Sequence, residues 1–569
     1  MEPTRISLRA RRTAVFATVA AAAALALPSM ASAAVTGAVT GNTATLTGDG
    51  DADIIAIGIN GANLSHNLAG FNSAIDFDSV AGGDQTLTAT AGLTINSGAG
   101  ADTIAGGPGD DTINGGTELD PIDGGGGNDR ITGGPGGTAL DREPIKGNAG
   151  NDVMLWNNGD GFDLNDGDAG VDESVMVNGA ANDQMSVSPI AGGRTLFDRT
   201  NNPFNVDMGT VEKLSVASFA GDDRLTTAPG VTVPMVVDAG PGADDITTGG
   251  ATDRIVGDRG NDILNAGGGD DTMVWGNGDG DDQMNGQDGL DRIENNLGDA
   301  PDVSQISVVA GKVHYARTNA PFTLDVATSE VFELNTFGGN DTLDVQPGVG
   351  ALIAITADAG SGDDRLNGGD EADTFFGGLG NDTLEPGAGA DAVDGEAGDD
   401  TLKVRDGAPD FANGGVGTDS AVADVVDALA GVESADVPPP NPAADTKGTA
   451  VRILSRNITS KLKKGIYTAR VRVECPAAEA GGCKGTLALL TANKVRIGGV
   501  KVQALLGSKS YSLKAGQRRT LAIKLPKGVG RFAKKRKLSL RAQTVSRDAA
   551  GNVATGAKRL TVKLVKPKK

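Results

Sequence analysis

Residues 97–132 read SGAGADTIA, GGPGDDTIN, GGTELDPID and GGGGNDRIT, which are four consecutive blocks of nine. Glycine dominates the first, second and fourth positions of these blocks. The sixth position is always aspartate and the eighth is always isoleucine, at Asp102, Asp111, Asp120 and Asp129 and at Ile104, Ile113, Ile122 and Ile131. A disordered acidic linker has no reason to keep these two residues in fixed phase, so the stretch indicates a folded repeat.

The block composition predicts short strands joined by tight turns. Glycine adopts positive φ without steric cost, which suits the turns, and the triplet after each aspartate forms a strand with one inward aliphatic side chain. Such a strand cannot bury a core alone, so we expect two blocks, about 18 residues, to form one coil that stacks on its neighbours. Stacking places the aspartates in columns, whose carboxylates repel one another unless a cation lies between them. Carboxylate and carbonyl oxygens are hard ligands that favour calcium.

The GGxGxDxUx pattern resembles the hemolysin-type calcium-binding repeats, also called RTX nonapeptides. The resemblance implies an all-β fold of parallel β-roll or β-solenoid runs. It also implies several calcium ions, each bridging stacked turns and held by the sixth-position aspartates together with backbone carbonyls. It does not imply lysis, because the chain has a predicted cleavable signal, which type I-secreted RTX toxins lack, and has no long acylated helical domain.

The pattern recurs in three runs separated by β spacers. The predicted segments are a signal peptide at 1–33, an N-terminal β region at 34–96, calcium repeat runs at 97–175, 238–294 and 358–435, β spacers at 176–237 and 295–357, a proline-rich linker at 436–446 and a basic domain at 447–569. Runs and spacers together repeat after about 119 residues, since LWNNGDGFD around Trp156 returns as VWGNGDGDD around Trp275. The sequence leaves open whether the spacers continue the solenoid or bulge from it.

The predicted calcium ligands are the aspartates that follow the glycine turns in all three runs. They are Asp102, Asp111, Asp120, Asp129, Asp152, Asp163, Asp172, Asp244, Asp253, Asp262, Asp271, Asp282, Asp291, Asp364, Asp373, Asp382, Asp391, Asp400 and Asp419. Some blocks depart from the pattern, because Glu118 and Ala251 replace the fourth-position glycine and Pro121 follows Asp120. Trp156 and Trp275 are expected to pack where a run meets a spacer, with a carbohydrate platform as the alternative. The repeated motifs RTNNPF at 199–204 and RTNAPF at 317–322 are expected to be turns.

Charge is distributed unevenly along the 569 residues, whose formal net charge is −24. Residues 34–446 hold 15 Lys and Arg against 70 Asp and Glu, whereas residues 447–569 hold 31 against 3. Calcium would offset the acidic part. The basic domain is expected to bind an anionic cell-wall or surface polymer, or the acidic part of a neighbouring chain, and no nucleic-acid partner is expected.

The N-terminus has the features of a signal peptide. Positively charged residues at Arg5, Arg9, Arg11 and Arg12 precede an apolar alanine-rich stretch, and Ala31, Ser32 and Ala33 form a cleavage signal before Ala34. We therefore expect a secreted, extracellular protein, released or retained at the cell surface. General and twin-arginine export both stay open, and a retained membrane anchor is the alternative. No other hydrophobic run approaches spanning length.

The basic domain has alternating runs such as YTARVRVEC and RTLAIKL, which predict a small C-terminal β-sandwich. The sequence DAAGN at 548–552 resembles a turn common in bacterial immunoglobulin-like and fibronectin-like domains. Cys475 and Cys483 are the only cysteines, and in an exported protein they are expected to form one disulfide. A zinc site would need further ligands.

No enzyme activity is expected. His66 and His314 are the only histidines, the first spacer has Leu196 in place of His314, and no nucleophile elbow or zinc helix motif occurs. The sequence favours a secreted calcium-binding scaffold or adhesive protein whose folding depends on calcium. The alternative hypothesis is an extracellular hydrolase with an unrecognised active site on the same scaffold.

Overall fold

A computed structural model of the chain describes residues 35–79, 83–138, 141–438, 451–463, 466–477, 482–493, 495–497, 500–502, 505–526, 529, 533, 537–547 and 553–565. The predicted signal peptide, residues 439–446 of the predicted linker and the DAAGN sequence lie outside the described residues. The described part contains β-strands and no α-helix. No helical segment of the described residues has the length and apolarity that crossing a membrane requires.

Most of the chain forms one solenoid with two long sheets. The described strands of the first sheet, in stacking order, are Thr36–Thr40, Thr43–Thr47, Leu93–Asn96, Thr112–Asn114, Arg130–Thr132, Val153–Asn157, Glu173–Val177, Lys213–Ala217, Met235–Asp238, Arg254–Val256, Thr272–Gly276, Arg292–Asn296, Val331–Asn335, Ala354–Asp358, Thr374–Leu379, Ala392–Ala397, Phe411–Asn413 and Ala428–Ala430. All of these pairings are parallel except the first, which is antiparallel.

The second sheet runs alongside the first as an open ladder. Its described strands, in stacking order, are Asn63–His66, Ile54–Asn60, Thr103–Ala105, Ile122–Gly126, Glu143–Ala149, Asp163–Ala169, Phe204–Gly209, Arg194–Arg199, Gln184–Ile190, Arg224–Thr227, Asp245–Thr247, Ile263–Asn265, Asp282–Asn285, Phe322–Ala327, Lys312–Arg317, Val303–Val309, Thr342–Val345, Arg365–Asn367, Thr383–Glu385, Thr401–Lys403, Ser420–Val422 and Ser434–Asp436.

The core between the sheets is a stack of the predicted inward aliphatic residues. Ile104 pairs with Ile122 in the second sheet and Ile113 with Ile131 in the first, and all four are at most 2% exposed. Equivalent positions in adjacent regular coils are 18 residues apart. The all-β fold with parallel runs is therefore confirmed, and two blocks make one coil as expected.

Each spacer adds three consecutive antiparallel strands to the second sheet and leaves the first sheet uninterrupted. These three strands together are called the hairpin of that spacer. In the first spacer the inserted strands are Gln184–Ile190, Arg194–Arg199 and Phe204–Gly209, and in the second they are Val303–Val309, Lys312–Arg317 and Phe322–Ala327. The outer strands of each hairpin pair in parallel with the coils on either side. The spacers therefore continue the solenoid, which the sequence had left open.

The C-terminal residues form a small β domain, in which eight described strands belong to one sheet and two form a separate hairpin. Its described strands are Arg452–Ile453, Asn457–Lys463, Ile466–Glu474, Cys483–Thr491, Val495–Ile497, Val500–Val502, Leu505–Leu513, Arg518–Leu525, Lys537–Arg547 and Val553–Val565. Its core includes Val471, Leu489 and Val562, all fully buried, and a disulfide joins Cys475 to Cys483. The likeness to immunoglobulin-like or fibronectin-like domains stays a prediction.

The C-terminal domain packs against the outer face of the first sheet at its last strands. Phe411 of the solenoid belongs to one buried apolar cluster with Leu490 and Leu505 of the domain. Beside this cluster, the Leu505 N–H donates to Asp394 Oδ2 at 3.0 Å and Thr486 Oγ1 donates to the Ala390 carbonyl at 3.1 Å. The basic domain thus contacts the acidic solenoid through an apolar cluster and flanking hydrogen bonds, one of which ends on the Asp394 carboxylate.

Candidate calcium sites

All nineteen aspartates singled out from the sequence are at most 3% exposed. Each lies just before, or at the first residue of, a short strand, because the glycine turn ends there. One column borders the first sheet and holds Asp111, Asp129, Asp152, Asp172, Asp253, Asp271, Asp291, Asp373 and Asp391. The other borders the second sheet and holds Asp102, Asp120, Asp163, Asp244, Asp262, Asp282, Asp364, Asp382, Asp400 and Asp419.

One carboxylate oxygen of these aspartates connects adjacent coils. The N–H of Asp102 donates to Asp120 Oδ1 at 2.7 Å, that of Asp111 to Asp129 Oδ1 at 2.8 Å, and that of Asp364 to Asp382 Oδ1 at 2.8 Å. The same bond reaches Oδ1 of every other aspartate of the set except Asp163. Oδ1 therefore accepts a hydrogen bond that holds adjacent coils in register.

The second carboxylate oxygen is buried and has no hydrogen-bond partner at fourteen of these positions. They are Asp102, Asp111, Asp120, Asp129, Asp152, Asp172, Asp244, Asp262, Asp291, Asp364, Asp382, Asp391, Asp400 and Asp419. A buried carboxylate oxygen without a partner costs several kcal/mol in effective desolvation. The repetition of this cost along both columns indicates that a cation satisfies these oxygens.

The first glycine of each block borders the space that this oxygen faces. A Cβ atom built on Gly106 would lie 2.7 Å from Asp111 Oδ2 and 2.6 Å from the Gly124 carbonyl oxygen of the next coil. On Gly115 it would lie 3.0 Å from Asp120 Oδ2 and 2.7 Å from the carbonyl oxygen of the next coil. Where glycine holds the first position, its missing Cβ leaves this space open, and a carboxylate and a carbonyl oxygen converge on it; Ser97, Ala239 and Ala359 hold the same position in other blocks. Such neutral and anionic oxygens are the ligands that calcium prefers.

Burial raises the pKa of these carboxyl groups far above the ordinary aspartate value of 3.8. The pKa of Asp129 is raised to about 7, that of Asp111 to about 8 and that of Asp391 to about 9, chiefly because the charged form is desolvated and also because like charges lie nearby. A bound cation would favour the ionised form in each case. Among the described residues, no group of three or more His, Cys, Asp or Glu side chains surrounds one point, so each site combines few carboxylates with backbone carbonyls.

The irregular blocks keep the same backbone arrangement. Glu118 replaces a glycine but retains a positive φ of 85°. Asp120, which precedes Pro121, accepts its inter-coil bond, and Asp253, two residues after Ala251, accepts one from the Met235 N–H at 2.7 Å. The departures from the sequence pattern therefore leave the column intact.

Several acidic residues in the columns were missed from the sequence. Asp53, Asp223, Asp341 and Asp410 are buried, and each has an Oδ2 without a partner. In three of them the available signal was an aspartate two residues before an inward aliphatic residue, as in Asp223-Arg224-Leu225. These positions lack the paired glycines that mark a regular block, so the nonapeptide pattern alone does not find them.

In both hairpins an arginine forms an ion pair with a buried aspartate of the column. Arg199 Nη1 lies 3.2 Å from Asp183 Oδ2, and both side chains are 2% exposed. Arg317 Nη1 lies 3.0 Å from Asp302 Oδ1 in the second copy. Asp183 and Asp302 donate their N–H groups to the next aspartate of the column at 2.6 and 2.7 Å. Each hairpin thus supplies the column with a positive charge from its own arginine side chain.

The two tryptophans pack against these arginine hairpins. Trp156 stacks on Phe204 with ring centroids 3.5 Å apart, and Trp275 stacks on Phe322 at 3.8 Å. Arg199 and Arg317 lie over the same phenylalanine rings at 4.6 and 4.9 Å. Both tryptophans are at most 1% exposed, so they pack as expected and offer no carbohydrate platform. The RTNNPF and RTNAPF motifs form the turns between hairpin strands, also as expected.

A serine, a histidine and an aspartate share the outer face of the second hairpin. His314 Nδ1 lies 2.7 Å from Asp325 Oδ1, and Ser307 lies directly opposite His314 on the next strand. The first hairpin has Ser188, Leu196 and Asp207 at the matching places. His66, the other histidine, contacts the Asp76 carbonyl through Nε2.

A family model for the RTX calcium-binding nonapeptide repeat matches four stretches of the chain, residues 94–120, 238–274, 356–384 and 387–402. A comparison with curated proteins gave no match. The four stretches overlap the three runs identified from the sequence, and the sixth-position aspartates within them belong to the two columns. Repeats of this kind bind calcium, and the chain binds multiple calcium ions. This chain therefore contains hemolysin-type calcium-binding repeats.

Proposed function

We propose that this chain is a secreted scaffold or adhesive protein whose solenoid folds when it meets extracellular calcium. The observation that carries the proposal is the repetition of buried aspartate oxygens without partners along both columns. Calcium binds the folded columns and not the unfolded chain, so it stabilises the fold by mass action. Sites built from one carboxylate and several carbonyls suit the weak affinities of extracellular modules, about 10⁻⁴ to 10⁻³ M.

Two features support an extracellular location. Residues 1–33 have the sequence of a cleavable signal peptide, and the disulfide between Cys475 and Cys483 suits an oxidising compartment. The proposal predicts that the exported chain begins at Ala34. N-terminal sequencing of protein collected from the culture medium and from the cell surface tests this, and a full-length N-terminus in both fractions would contradict it.

The C-terminal domain supplies the contact surface in this proposal. On its exposed sheet face Lys537 lies directly opposite Lys563, and Arg541 lies directly opposite Arg559. Like charges directly opposite on adjacent strands destabilise a sheet, so an anionic partner would relieve a repulsion that the isolated domain retains. We propose an anionic cell-wall or surface polymer as that partner.

Binding to beads that carry an anionic polymer tests the contact surface. The calcium-loaded full chain should bind, and added salt should weaken the binding because it screens exposed charges. The double variant Lys537→Gln and Arg541→Gln should bind at least several-fold less. A matched control, Arg130→Gln and Arg365→Gln, removes two exposed cations from the solenoid and should bind as the unchanged chain does. Equal loss in both variants would show a general charge effect and contradict the proposed surface.

The competing hypothesis of an extracellular hydrolase is favoured by one observation, the Ser307, His314 and Asp325 line on the second hairpin. A general base needs an oriented imidazole beside a nucleophile, and Asp325 orients His314. Screening of the calcium-loaded chain against ester, peptide and glycan substrates tests this hypothesis. Activity that His314→Leu abolishes would support a hydrolase, because this change copies the first hairpin. Absence of activity in the unchanged chain supports the binding role that we propose.

A further inference from the structure

One coil of the first run departs from the nonapeptide and places a glutamate in the column. Asp129 and Asp152, which are hydrogen-bonded across coils, are 23 residues apart instead of 18. The added length lies before Glu143, which begins the strand Glu143–Ala149. This strand pairs Ile145 with Ile122 on one side and Glu143 with Asp163 on the other. Glu143 therefore occupies the column position between Asp120 and Asp163.

Glu143 differs from the column aspartates in what its carboxylate contacts. The side chain is fully buried, and neither Oε1 nor Oε2 accepts a well-formed hydrogen bond, although the Asp120 N–H is directed at this carboxylate. At the regular positions one oxygen accepts an inter-coil N–H and only the other faces the open space. Both oxygens of Glu143 thus remain for a ligand, as in the bidentate glutamate ligands of calcium sites.

Other oxygens and two glycines border the same place. A Cβ atom built on Gly133 would lie 2.6 Å from Glu143 Oε1, and one built on Gly136 would lie 2.6 Å from Glu143 Oε2 and in contact with the Glu118 carbonyl oxygen. On the adjacent strand Asp163 is 1% exposed, and its Oδ1 also lacks a partner. The glycines keep the space open, and two carboxylates with a backbone carbonyl surround it.

We propose that Glu143 forms a separate calcium site in which both of its carboxylate oxygens bind one ion, with Asp163 Oδ1 and the Glu118 carbonyl oxygen as further ligands. Glu143 and Asp163 lie outside the stretches that match the nonapeptide family, and Glu143 is a different kind of ligand residue from the repeat aspartates. It gathers more carboxylate oxygens than a regular position does, and ligand charge strengthens calcium binding. It therefore fills at a lower calcium concentration than the regular positions.

An ion count on the calcium-loaded full chain tests this site. Glu143→Gln keeps the side-chain shape and removes the charge, and we expect it to bind one calcium ion fewer per chain, with the tightest phase lost from a calorimetric titration. Asp84→Asn is the matched control, because it removes one exposed carboxylate that lies outside both columns. We expect the control to bind as many ions as the unchanged chain. An equal ion count for Glu143→Gln would overturn the proposal and show that Glu143 is a neutral buried acid.

A second measurement needs no variant and stands even if Glu143→Gln fails to fold. Crystals of the unchanged chain grown with terbium in place of calcium should give an anomalous peak between the Glu143 and Asp163 carboxylates. Peaks along the regular columns with none at Glu143 would overturn this site while leaving calcium binding by the repeats intact. Failure of the secretion or polymer-binding tests would leave the Glu143 site unaffected.

Discussion

Where a block begins with glycine, that glycine and the aspartate of the block depend on each other because they border the same space. The aspartate uses Oδ1 to fix the neighbouring coil, which leaves Oδ2 facing the glycine. The second and fourth glycines serve a different purpose, since Gly125 and Gly127 have φ of 100° and 121°. The nonapeptide therefore encodes both a turn conformation and an open ligand space.

Filling that space should remove a calcium position without changing the ladder. A Cβ atom built on Gly124 would lie 2.5 Å from Asp129 Oδ2, whereas one built on Gly126 meets nothing closer than 3.8 Å. We expect Gly124→Ala to need several-fold more calcium to fold and to lose about 1–3 kcal/mol of stability from overpacking. Gly126→Ala, the control, should match the unchanged chain. Calcium titrations followed by fluorescence check both, and equal midpoints would contradict the role given to Gly124.

The buried carboxyl groups also predict how pH acts on the calcium-free chain. Their folded-state pKa values, about 8 for Asp111 and about 9 for Asp391, exceed the ordinary aspartate value of 3.8. Between pH 3.8 and these folded-state values, the folded chain therefore binds more protons than the unfolded chain. Stability is fully present below pH 3.8 and is lost as the pH rises through the folded-state values. We expect circular dichroism in a chelator to show β structure near pH 5 that is lost as the pH rises toward about pH 9. Calcium should suppress this loss, and calcium-free β structure that increases over the same range would contradict the assignment.

At the residue scale the sequence predicts the regular aspartates well and the irregular acids poorly. All nineteen predicted aspartates lie in the columns, because their fixed phase with an inward aliphatic residue reflects the coil itself. Asp53, Asp223 and Glu143 reach the columns through neighbouring coils of other lengths, and the complete nonapeptide pattern does not mark them. Their positions depend on strand register, which a nine-residue motif does not contain.

At the scale of elements, each hairpin carries its own positive charge where the runs require calcium. Arg199 meets the buried Asp183, and Arg317 meets the buried Asp302. Both guanidinium groups also stack on aromatic rings that the tryptophans support. The two hairpin coils should therefore be the parts of the solenoid that depend least on calcium.

Hydrogen exchange after chelation tests this difference between hairpins and runs. Peptides from strands Gln184–Ile190 and Arg194–Arg199 should stay protected longer than those from residues 239–273. Arg199→Ala should abolish the difference, because removing one partner of a buried ion pair costs about 3–5 kcal/mol. Arg224→Ala is the control, since Arg224 is 64% exposed and lies 3.6 Å from Asp245. Simultaneous loss of protection in hairpins and runs of the unchanged chain would contradict this role.

The hairpins show how far an element can be predicted from the sequence alone. The repeat of RTNNPF as RTNAPF correctly indicated a duplicated turn. The partner of each arginine lies 16 or 15 residues earlier in the chain, and no pattern in the sequence connects the two. Their contact depends on how the hairpin folds back over the coil.

At the scale of the whole molecule, an acidic solenoid and a basic domain meet through a largely apolar contact. The last strands of the first sheet bury Phe411 and Ala392 against Leu490 and Val545 of the C-terminal domain. This arrangement leaves the cross-strand cation pairs of the domain exposed. The uneven charge distribution was visible in the sequence, whereas the contact was not, because its residues are ordinary strand residues in both parts.

The central claim is that calcium supplies the positive charge that lets the carboxylate columns stack. Far-ultraviolet circular dichroism of the full chain, titrated with calcium from a chelated state, tests this claim most directly, with magnesium at equal concentration as the control. Magnesium prefers small octahedral sites and dehydrates reluctantly, so it should not replace calcium. We predict a large gain of β signal that is half complete at about 10⁻⁴ to 10⁻³ M calcium and absent with magnesium. A β signal of full size in the chelator, unchanged by calcium, would contradict the account.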